Sequence, residues 1–172
     1  MAEYFIGLVL NPAHSRQVDK FRKLFYADSS KRHPPHITVI EPFRWSEISP
    51  RIQSEQDLVS VINEAASNNL SKLANLKVES ISPMSEKTII KLNPNPDLTN
   101  LRQKLLSEIG LPEKHYPYTP HITLGKLDAA GKSEAERRFV ELDNEISPTG
   151  LQLFRKHPKD GNYVWQALRF IF

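Results

Sequence analysis

Two stretches of the sequence carry the same tetrapeptide, Pro35-His36-Ile37-Thr38 and Pro120-His121-Ile122-Thr123. The second histidine follows the first by 85 residues (121 − 36), about half of the chain, although the chain holds only 6 His. A single short motif is a weak signal, but two copies with the same neighbours rarely arise by chance. The repeat therefore predicts a fold of two similar halves, each contributing one strand with this sequence.

The direction of the side chains within each motif suggests a shared site. In a β-strand, residues i and i+2 lie on one face and their neighbours lie on the other. His36 and Thr38 would therefore point one way, while Ile37 packs the opposite way. His121 and Thr123 repeat this arrangement. If the halves face each other across a cleft, two imidazoles and two hydroxyls converge on one volume.

The bulk composition is that of an ordinary soluble globular protein, with 39% hydrophobic and 25% charged residues. A chain of 172 residues is long enough for one well-buried domain. No apolar run approaches the roughly 18 residues of a membrane helix, so no membrane partner is expected. The net charge of +3 permits an anionic ligand without requiring one. The absence of cysteine excludes disulfides and thiol catalysis, and predicts a reducing, cytoplasmic location.

Apolar spacing predicts an alternation of strands and helices. The run 4–10 is short and rich in aromatic and branched residues, which is typical of a buried strand. Asn11-Pro12 favours the start of a helix, and Asn95-Pro96 repeats that signal for a helix closed by Gly110. The other predicted elements are a helix over 54–68, strands over 37–40, 76–81 and 88–92, a helix from the capping box Ser133-Glu134-Ala135-Glu136 towards Leu142, and a C-terminal hairpin of 149–155 and 163–172 turning at 159–162.

The two halves share an order of elements as well as a motif. A strand, an Asn-Pro pair, a helix and Pro-His-Ile-Thr follow one another over roughly 4–42 and again over roughly 88–126. Leu10-Asn11-Pro12 of the first half corresponds to Leu92-Asn93-Pro94 of the second half. We therefore predict a diverged internal duplication within a single domain spanning 1–172, with interleaved lobes.

The paired motifs suit acid–base chemistry at a phosphate. Histidine has the side-chain pKa closest to neutrality, so one ring can be neutral while the other is protonated. The neutral ring takes a proton from water or a ribose hydroxyl, and the charged ring donates one to the leaving oxygen. Threonine hydroxyls are poor bases, but they can donate hydrogen bonds to non-bridging phosphate oxygens. Nothing in this chemistry requires a metal ion.

Two His-x-Thr motifs in a small α+β protein resemble the 2H phosphoesterase family, also called the 2′-5′ RNA ligase-like or cyclic phosphodiesterase family. The resemblance implies an α+β, bilobal pseudo-twofold fold, with two antiparallel sheets around a central cleft and helices on the outside. It also implies that His36 and His121 are the general acid and base, and that Thr38 and Thr123 hold phosphate. No cofactor and no metal ligands are implied. The implied substrate is an RNA end or a small cyclic nucleotide, handled by a monomer.

Other residues near the motifs are predicted substrate contacts or core. Lys126 stands where many relatives have an arginine, five residues after the second histidine, and lysine keeps the charge but loses the bidentate fork. Phe43 and Tyr118 flank the motifs and could stack on a base. Lys126, Phe43 and Tyr118 are therefore the predicted substrate-binding residues. Trp165, in the final strand, is predicted to be core.

The function predicted from these residues is metal-independent hydrolysis of 2′,3′-cyclic phosphate or 2′-5′ phosphodiester bonds in RNA or small nucleotides. Reversible 2′-5′ ligation would use the same groups. One alternative is a non-catalytic nucleotide- or RNA-binding module that uses the same cleft, and another is a structural duplication with no ligand. The pseudo-symmetry leaves open whether His36 or His121 is the base.

Overall fold

The computed structural model describes residues 2–25, 33–67, 69–114, 117–126, 128–139, 142–159 and 162–171. Along the chain, the elements are β1 (Glu3–Leu10), α1 (Pro12–Phe25), β2 (His36–Arg44), α2 (Glu55–Ala66), β3 (Leu76–Met84), β4 (Lys87–Leu92), α3 (Pro96–Ile109), β5 (His121–Gly125), α4 (Ala129–Arg137), β6 (Glu145–Ile146), β7 (Pro148–Lys159) and β8 (Asn162–Ile171). Short 3₁₀ turns lie at Trp45–Glu47 and Leu70–Leu73. Among the described residues, no helix combines the length and apolarity needed to cross a membrane.

The described strands form one antiparallel sheet in the order β6-β3-β4-β5-β2-β1-β7-β8. Its centre is a narrow seam, because β2 and β5 share a single paired position, Ile37 with Ile122. The sheet therefore consists of two four-stranded halves. The α+β class is confirmed, and the two predicted sheets are these halves, joined at the seam that carries both motifs.

Each half contains the same strand–helix–strand unit, β1-α1-β2 in one and β4-α3-β5 in the other, with its two strands adjacent and antiparallel. This order agrees with an internal duplication, which stays a prediction. The side chain of Asn11 accepts a hydrogen bond from the backbone N–H of His14 (2.8 Å), and that of Asn95 accepts one from Leu98 (2.9 Å). The helix-capping equivalent of Asn11 is therefore Asn95, and not Asn93, because the second linker is longer.

Local signals set most helix ends. Ser54 caps α2 by accepting from the N–H of Asp57 (3.1 Å), and the carboxylate of Asp57 accepts in return from the N–H of Ser54 (3.0 Å). Gly110 ends α3 with a φ of +81°, as predicted. The predicted start of α4 at Ser133 is wrong. The helix begins at Ala129, because Asp128 accepts from the N–H of Gly131 (2.7 Å) one turn earlier.

One apolar cluster fills the space between the sheet and the helices. Ile37 and Val39 of β2 are fully buried in it, as are Ile122 and Leu124 of β5. Helices contribute the apolar stripes predicted from their spacing, including Val18 and Phe21 of α1, Leu58 and Ile62 of α2, and Leu101 and Leu105 of α3. The residues between these core positions in β2 and β5 therefore lie on the opposite side of the sheet. The predicted C-terminal hairpin is present as β7 and β8, and the centre of its turn, 160–161, lies outside the described residues.

Candidate active site

A cleft of about 290 Å³ brings together all four predicted motif residues, His36, Thr38, His121 and Thr123. The strand alternation explains this arrangement, because each motif places its isoleucine in the core and its histidine and threonine on the other face. The seam between β2 and β5 then sets the two motifs side by side. The other residues that line the cleft are Phe5, His33, Glu41, Pro42, Met84, Lys87, Pro117, Tyr118, Thr119 and Trp165.

The two imidazoles are held in the same way. Nδ1 of His36 lies 2.9 Å from the carbonyl oxygen of Pro34, and Nδ1 of His121 lies 2.7 Å from that of Thr119. A carbonyl only accepts, so Nδ1 carries the proton in both rings. Each neutral ring therefore has Nε2 as its unprotonated nitrogen. The anchor is two residues before the histidine in both halves, which fixes tautomer and orientation alike.

The surroundings of His36 favour its neutral form. Its side chain is 9% exposed, and its ring centroid lies 4.7 Å from that of Phe5 and 5.6 Å from that of Phe154. Burial first, and then the nearby His33, Arg22 and His121, together lower the pKa of His36 to about 3, against the opposing effect of the hydrogen bond to the Pro34 carbonyl. His36 is therefore uncharged over the ordinary pH range.

His121 differs from His36 in having a carboxylate nearby. Burial lowers the pKa of His121 and so does Lys87, whereas the hydrogen bond to the Thr119 carbonyl and the charge of Glu41 raise it. Glu41 lines the same cleft. The two chemically identical motifs therefore have unlike electrostatic environments, because the carboxylate of Glu41, which is paired with Arg102, acts on His121.

Two predicted substrate contacts do not line the cleft. Phe43 is 4% exposed and packs in the core against Tyr4, with ring centroids 5.9 Å apart. Phe43 is paired with Tyr4 of β1, and both side chains belong to the apolar core. Lys126 lies on the surface and forms an ion pair with Glu86. The cation that lines the cleft is Lys87, on β4.

Tyr118 does line the cleft, and its hydroxyl donates to the backbone oxygen of Thr38 (2.8 Å). Its proposed contact with substrate stays a prediction, since the hydroxyl is already used within the protein. Trp165, predicted as core, is half-buried at the cleft, where its ring meets that of Phe5 edge-on at 4.7 Å. It supplies the exposed aromatic surface that Phe43 does not.

Sequence reasoning missed Lys87 and three further residues that shape the site: Gly7, Glu41 and Arg102. Gly7 of β1 is paired with Thr38 and lies against the ring of His36. A glycine inside an apolar strand is a recognised sign of close approach, so that signal was present. Arg102 is buried on α3 and binds Glu41, which is 61 residues away in the sequence. Local sequence patterns do not predict a contact between residues so far apart in the chain. Within the described part of the chain, no group of three or more His, Cys, Asp or Glu side chains is arranged to hold a metal ion.

A comparison of the whole chain with known families agrees with this geometry. The family model described as the 2′-5′ RNA ligase superfamily matches residues 10–160. The chain belongs to the 2′-5′ RNA ligase superfamily. This membership confirms the predicted relationship to 2H phosphoesterases, and the superfamily supplies the coarse function, a phosphoesterase of the 2H type.

Individual known proteins resemble the chain over most of its length. A Bacillus cereus (strain B4264) protein named "Putative phosphoesterase" is 31% identical over 139 residues, which are 78% of this chain and 74% of that protein. Crystal structures of E. coli LigT share the fold. The complex with NADP+ has a TM-score of 0.56 at 15% identity and covers 98% of this chain and 97% of LigT. The complex with 3′-AMP has a TM-score of 0.52 at 14% identity, covering 98% and 95%.

Proposed function

We propose that this protein hydrolyses 2′,3′-cyclic phosphate or 2′-5′ phosphodiester bonds in RNA or small nucleotides, without a metal ion. The observation that carries the proposal is the pair of histidines in one cleft, each anchored through Nδ1 and each accompanied by a threonine hydroxyl. Two such rings supply both proton transfers that the reaction needs, and each is worth roughly 100- to 10,000-fold in rate.

The unlike environments of the rings suggest which is the base. Neutral His36 takes a proton from water through Nε2 as the water oxygen bonds to phosphorus. Protonated His121 gives its proton to the ribose oxygen as the phosphorus–oxygen bond breaks; burial lowers its pKa, which makes it a ready proton donor, and the Thr119 carbonyl and Glu41 oppose that lowering. The cyclic phosphate thus opens to a monoester, and a 2′-5′ linkage would break in the same way. Ligation would use the same transfers with a ribose 5′-hydroxyl in place of water: His36 takes the hydroxyl proton as its oxygen bonds to the cyclic phosphorus, and His121 protonates the departing 3′-oxygen, which leaves a 2′-5′ bond.

The remaining residues of the cleft fit a nucleotide phosphate. The hydroxyls of Thr38 and Thr123 can donate to the non-bridging oxygens, and Lys87 brings a positive charge to the same space. Trp165 offers a ring face to a base, an interaction worth about 1–3 kcal/mol. A volume of about 290 Å³ lies near the lower end of the range for ligand sites, which suits one nucleotide unit. The LigT complexes with NADP+ and 3′-AMP support a nucleotide as ligand.

A nucleotide-binding module without turnover is the second candidate. Its support is the strong burial of His36, which favours a ring that accepts hydrogen bonds over one that titrates. In either case we expect a monomer. We also expect a cytoplasmic location, in keeping with the absence of cysteine.

The decisive experiment is hydrolysis of a panel of 2′,3′-cyclic nucleotides and 2′-5′ dinucleotides with EDTA present. Wild type is compared with His36→Ala, His121→Ala and, as a matched control, His157→Ala, whose exposed side chain lies on β7 outside the cleft. We expect turnover that collapses in the first two variants and persists in the third. Turnover that survives loss of His36 or His121 would overturn the mechanism. Nucleotide binding without turnover in wild type would favour the binding module.

A further inference from the structure

Arg102 is a charged side chain in the core, 2% exposed, on the helix α3 of the second half. Burial of a charge is costly unless it is paired and hydrogen-bonded. Nη1 of Arg102 donates to the backbone oxygen of Val39 (2.6 Å) and to Oε2 of Glu41 (2.8 Å). Both acceptors belong to β2, in the first half. The guanidinium therefore ties the helix of one half to the motif strand of the other.

Tyr118 extends this contact to the second motif. The Arg102 Cζ lies 4.7 Å from the centre of the Tyr118 ring, within the range of a cation–π interaction. The Tyr118 hydroxyl donates to the backbone oxygen of Thr38. Tyr118 also directly precedes Thr119, whose carbonyl anchors His121. One connected cluster thus contacts β2 beside its threonine and the segment that orients the second histidine.

The position of this cluster matters because the sheet is weakest there. The halves share one paired position along the β2–β5 seam, whereas β1 and β2 are paired along most of their length. Arg102 and Tyr118 add three hydrogen bonds across the same seam, to Val39, Glu41 and Thr38. These bonds restrict how far the two motif strands can slide or separate.

We propose that Arg102, with Glu41 and Tyr118, sets the separation and relative orientation of His36 and His121, and so acts as a positioning residue for the phosphoester reaction. The proposal rests on the function proposed above. Either motif can still contact a phosphate when the halves shift, but in-line transfer needs both rings at once. A misplacement of about 1 Å can cost about 100-fold in rate.

The test compares kcat and KM of wild type, Arg102→Met and Arg102→Lys on the best substrate of the panel. We expect Arg102→Met to lower kcat by about 100-fold with KM changed by less than about threefold, the pattern of a contact needed for the transition state. Arg102→Lys should recover most of kcat, because an ammonium can still donate to Val39 and Glu41. A rise in KM of similar size with kcat unchanged would overturn the proposal.

Leu105→Ala is the matched control for stability. Leu105 is fully buried on the same helix, one turn from Arg102, and lies outside the cleft. If Arg102 acts only by stabilising the core, Leu105→Ala should lower kcat as much as Arg102→Met when both are assayed folded. We expect Leu105→Ala to lower the melting temperature while kcat is retained.

Crystal structures of wild type and Arg102→Met give a readout that does not depend on turnover. We expect the distance between the two Nε2 atoms to change in Arg102→Met. Failure of wild type to turn over any substrate would sink the proposed function, and this distance would still decide the positioning role. An unchanged distance would overturn it.

Discussion

A β-carbon built on Gly7 would lie 2.9 Å from Cδ2 of His36, so the backbone of β1 leaves no room for a side chain beneath the first histidine. Real β-carbons essentially never approach another carbon so closely, and one of the two groups must move. The His36 ring is also held by the Pro34 carbonyl and packed against Phe5. The ring is therefore confined from three directions.

Replacement of Gly7 by alanine should damage the reaction more than the fold. Alanine suits a strand better than glycine by roughly 0.5–1 kcal/mol, which offsets part of the clash. The displaced His36 ring should cost about 100-fold in kcat. Steady-state kinetics, the melting temperature and the His36 Hε1 signal in NMR spectra would measure this. Retained kcat with an unshifted His36 signal would mean that the ring tolerates the extra carbon.

The pH range in which kcat/KM is highest should lie below the ordinary pKa of histidine. The base works unprotonated, so activity is lost as pH falls through the pKa of His36, which burial lowers to about 3. The acid works protonated, so activity is lost as pH rises through the pKa of His121, which burial lowers below 6.5. Glu41→Gln removes the carboxylate that raises the pKa of His121, so its alkaline limb should move further towards acid. A shift of the acid limb instead would reverse the assignment of the two rings.

The two lysines near the cleft should behave differently on removal. Lys87 lines the cleft, and Lys87→Ala should raise KM about tenfold, because a charge-assisted hydrogen bond contributes roughly 1.5 kcal/mol or more. Lys126 is exposed and paired with Glu86, and Lys126→Ala should change KM by less than about threefold, as is usual for surface ion pairs. The two variants serve as controls for each other at the same ionic strength. A larger effect at Lys126 than at Lys87 would support the sequence-based prediction that Lys126 contacts substrate.

Trp165 should contribute binding to the base of a nucleotide. Trp165→Ala should raise KM about tenfold or more, and Trp165→Phe should retain most of the affinity, since stacking contributes about 1–3 kcal/mol. Quenching of tryptophan fluorescence by nucleotide gives a direct measure. The chain has 2 Trp, so Trp45→Phe provides a protein in which only Trp165 reports. An unchanged KM in Trp165→Ala would place the base elsewhere.

Local sequence predicted what local geometry determines. Strand alternation was sufficient to put His36 and His121 on the cleft side and Ile37 in the core. Alternation does not extend to Phe43, because the β1–β2 register shifts between Thr38 and Phe43; pairing with Tyr4 puts Phe43 in the core, although its proximity to the motif had suggested a substrate contact. The start of α4 was missed because a second capping side chain, Asp128, competes with Ser133 one turn earlier.

Contacts between distant segments were beyond local patterns. The Gly7–His36 contact depends on the register between β1 and β2, and the Arg102–Glu41 pair depends on how α3 packs across the seam. Trp165 was assigned to the core from its strand alone. Its half-buried position at the cleft depends on packing against Phe5, which lies on a different strand. Register and packing are tertiary properties, and they decide the electrostatic difference between two identical motifs.

Both imidazoles donate a hydrogen bond from Nδ1–H to a backbone carbonyl, which cannot pass a proton on. Each ring therefore exchanges protons through one nitrogen only, the one that faces substrate. In the proposed cycle, a forward turnover leaves His36 charged and His121 neutral. That is the starting state for the reverse reaction, so the protonation states of the two histidines depend on the direction of the previous turnover. The starting protonation states return when water enters the cleft after product release and exchanges protons with Nε2 of each ring. Solvent access between turnovers is therefore part of the proposed catalytic cycle.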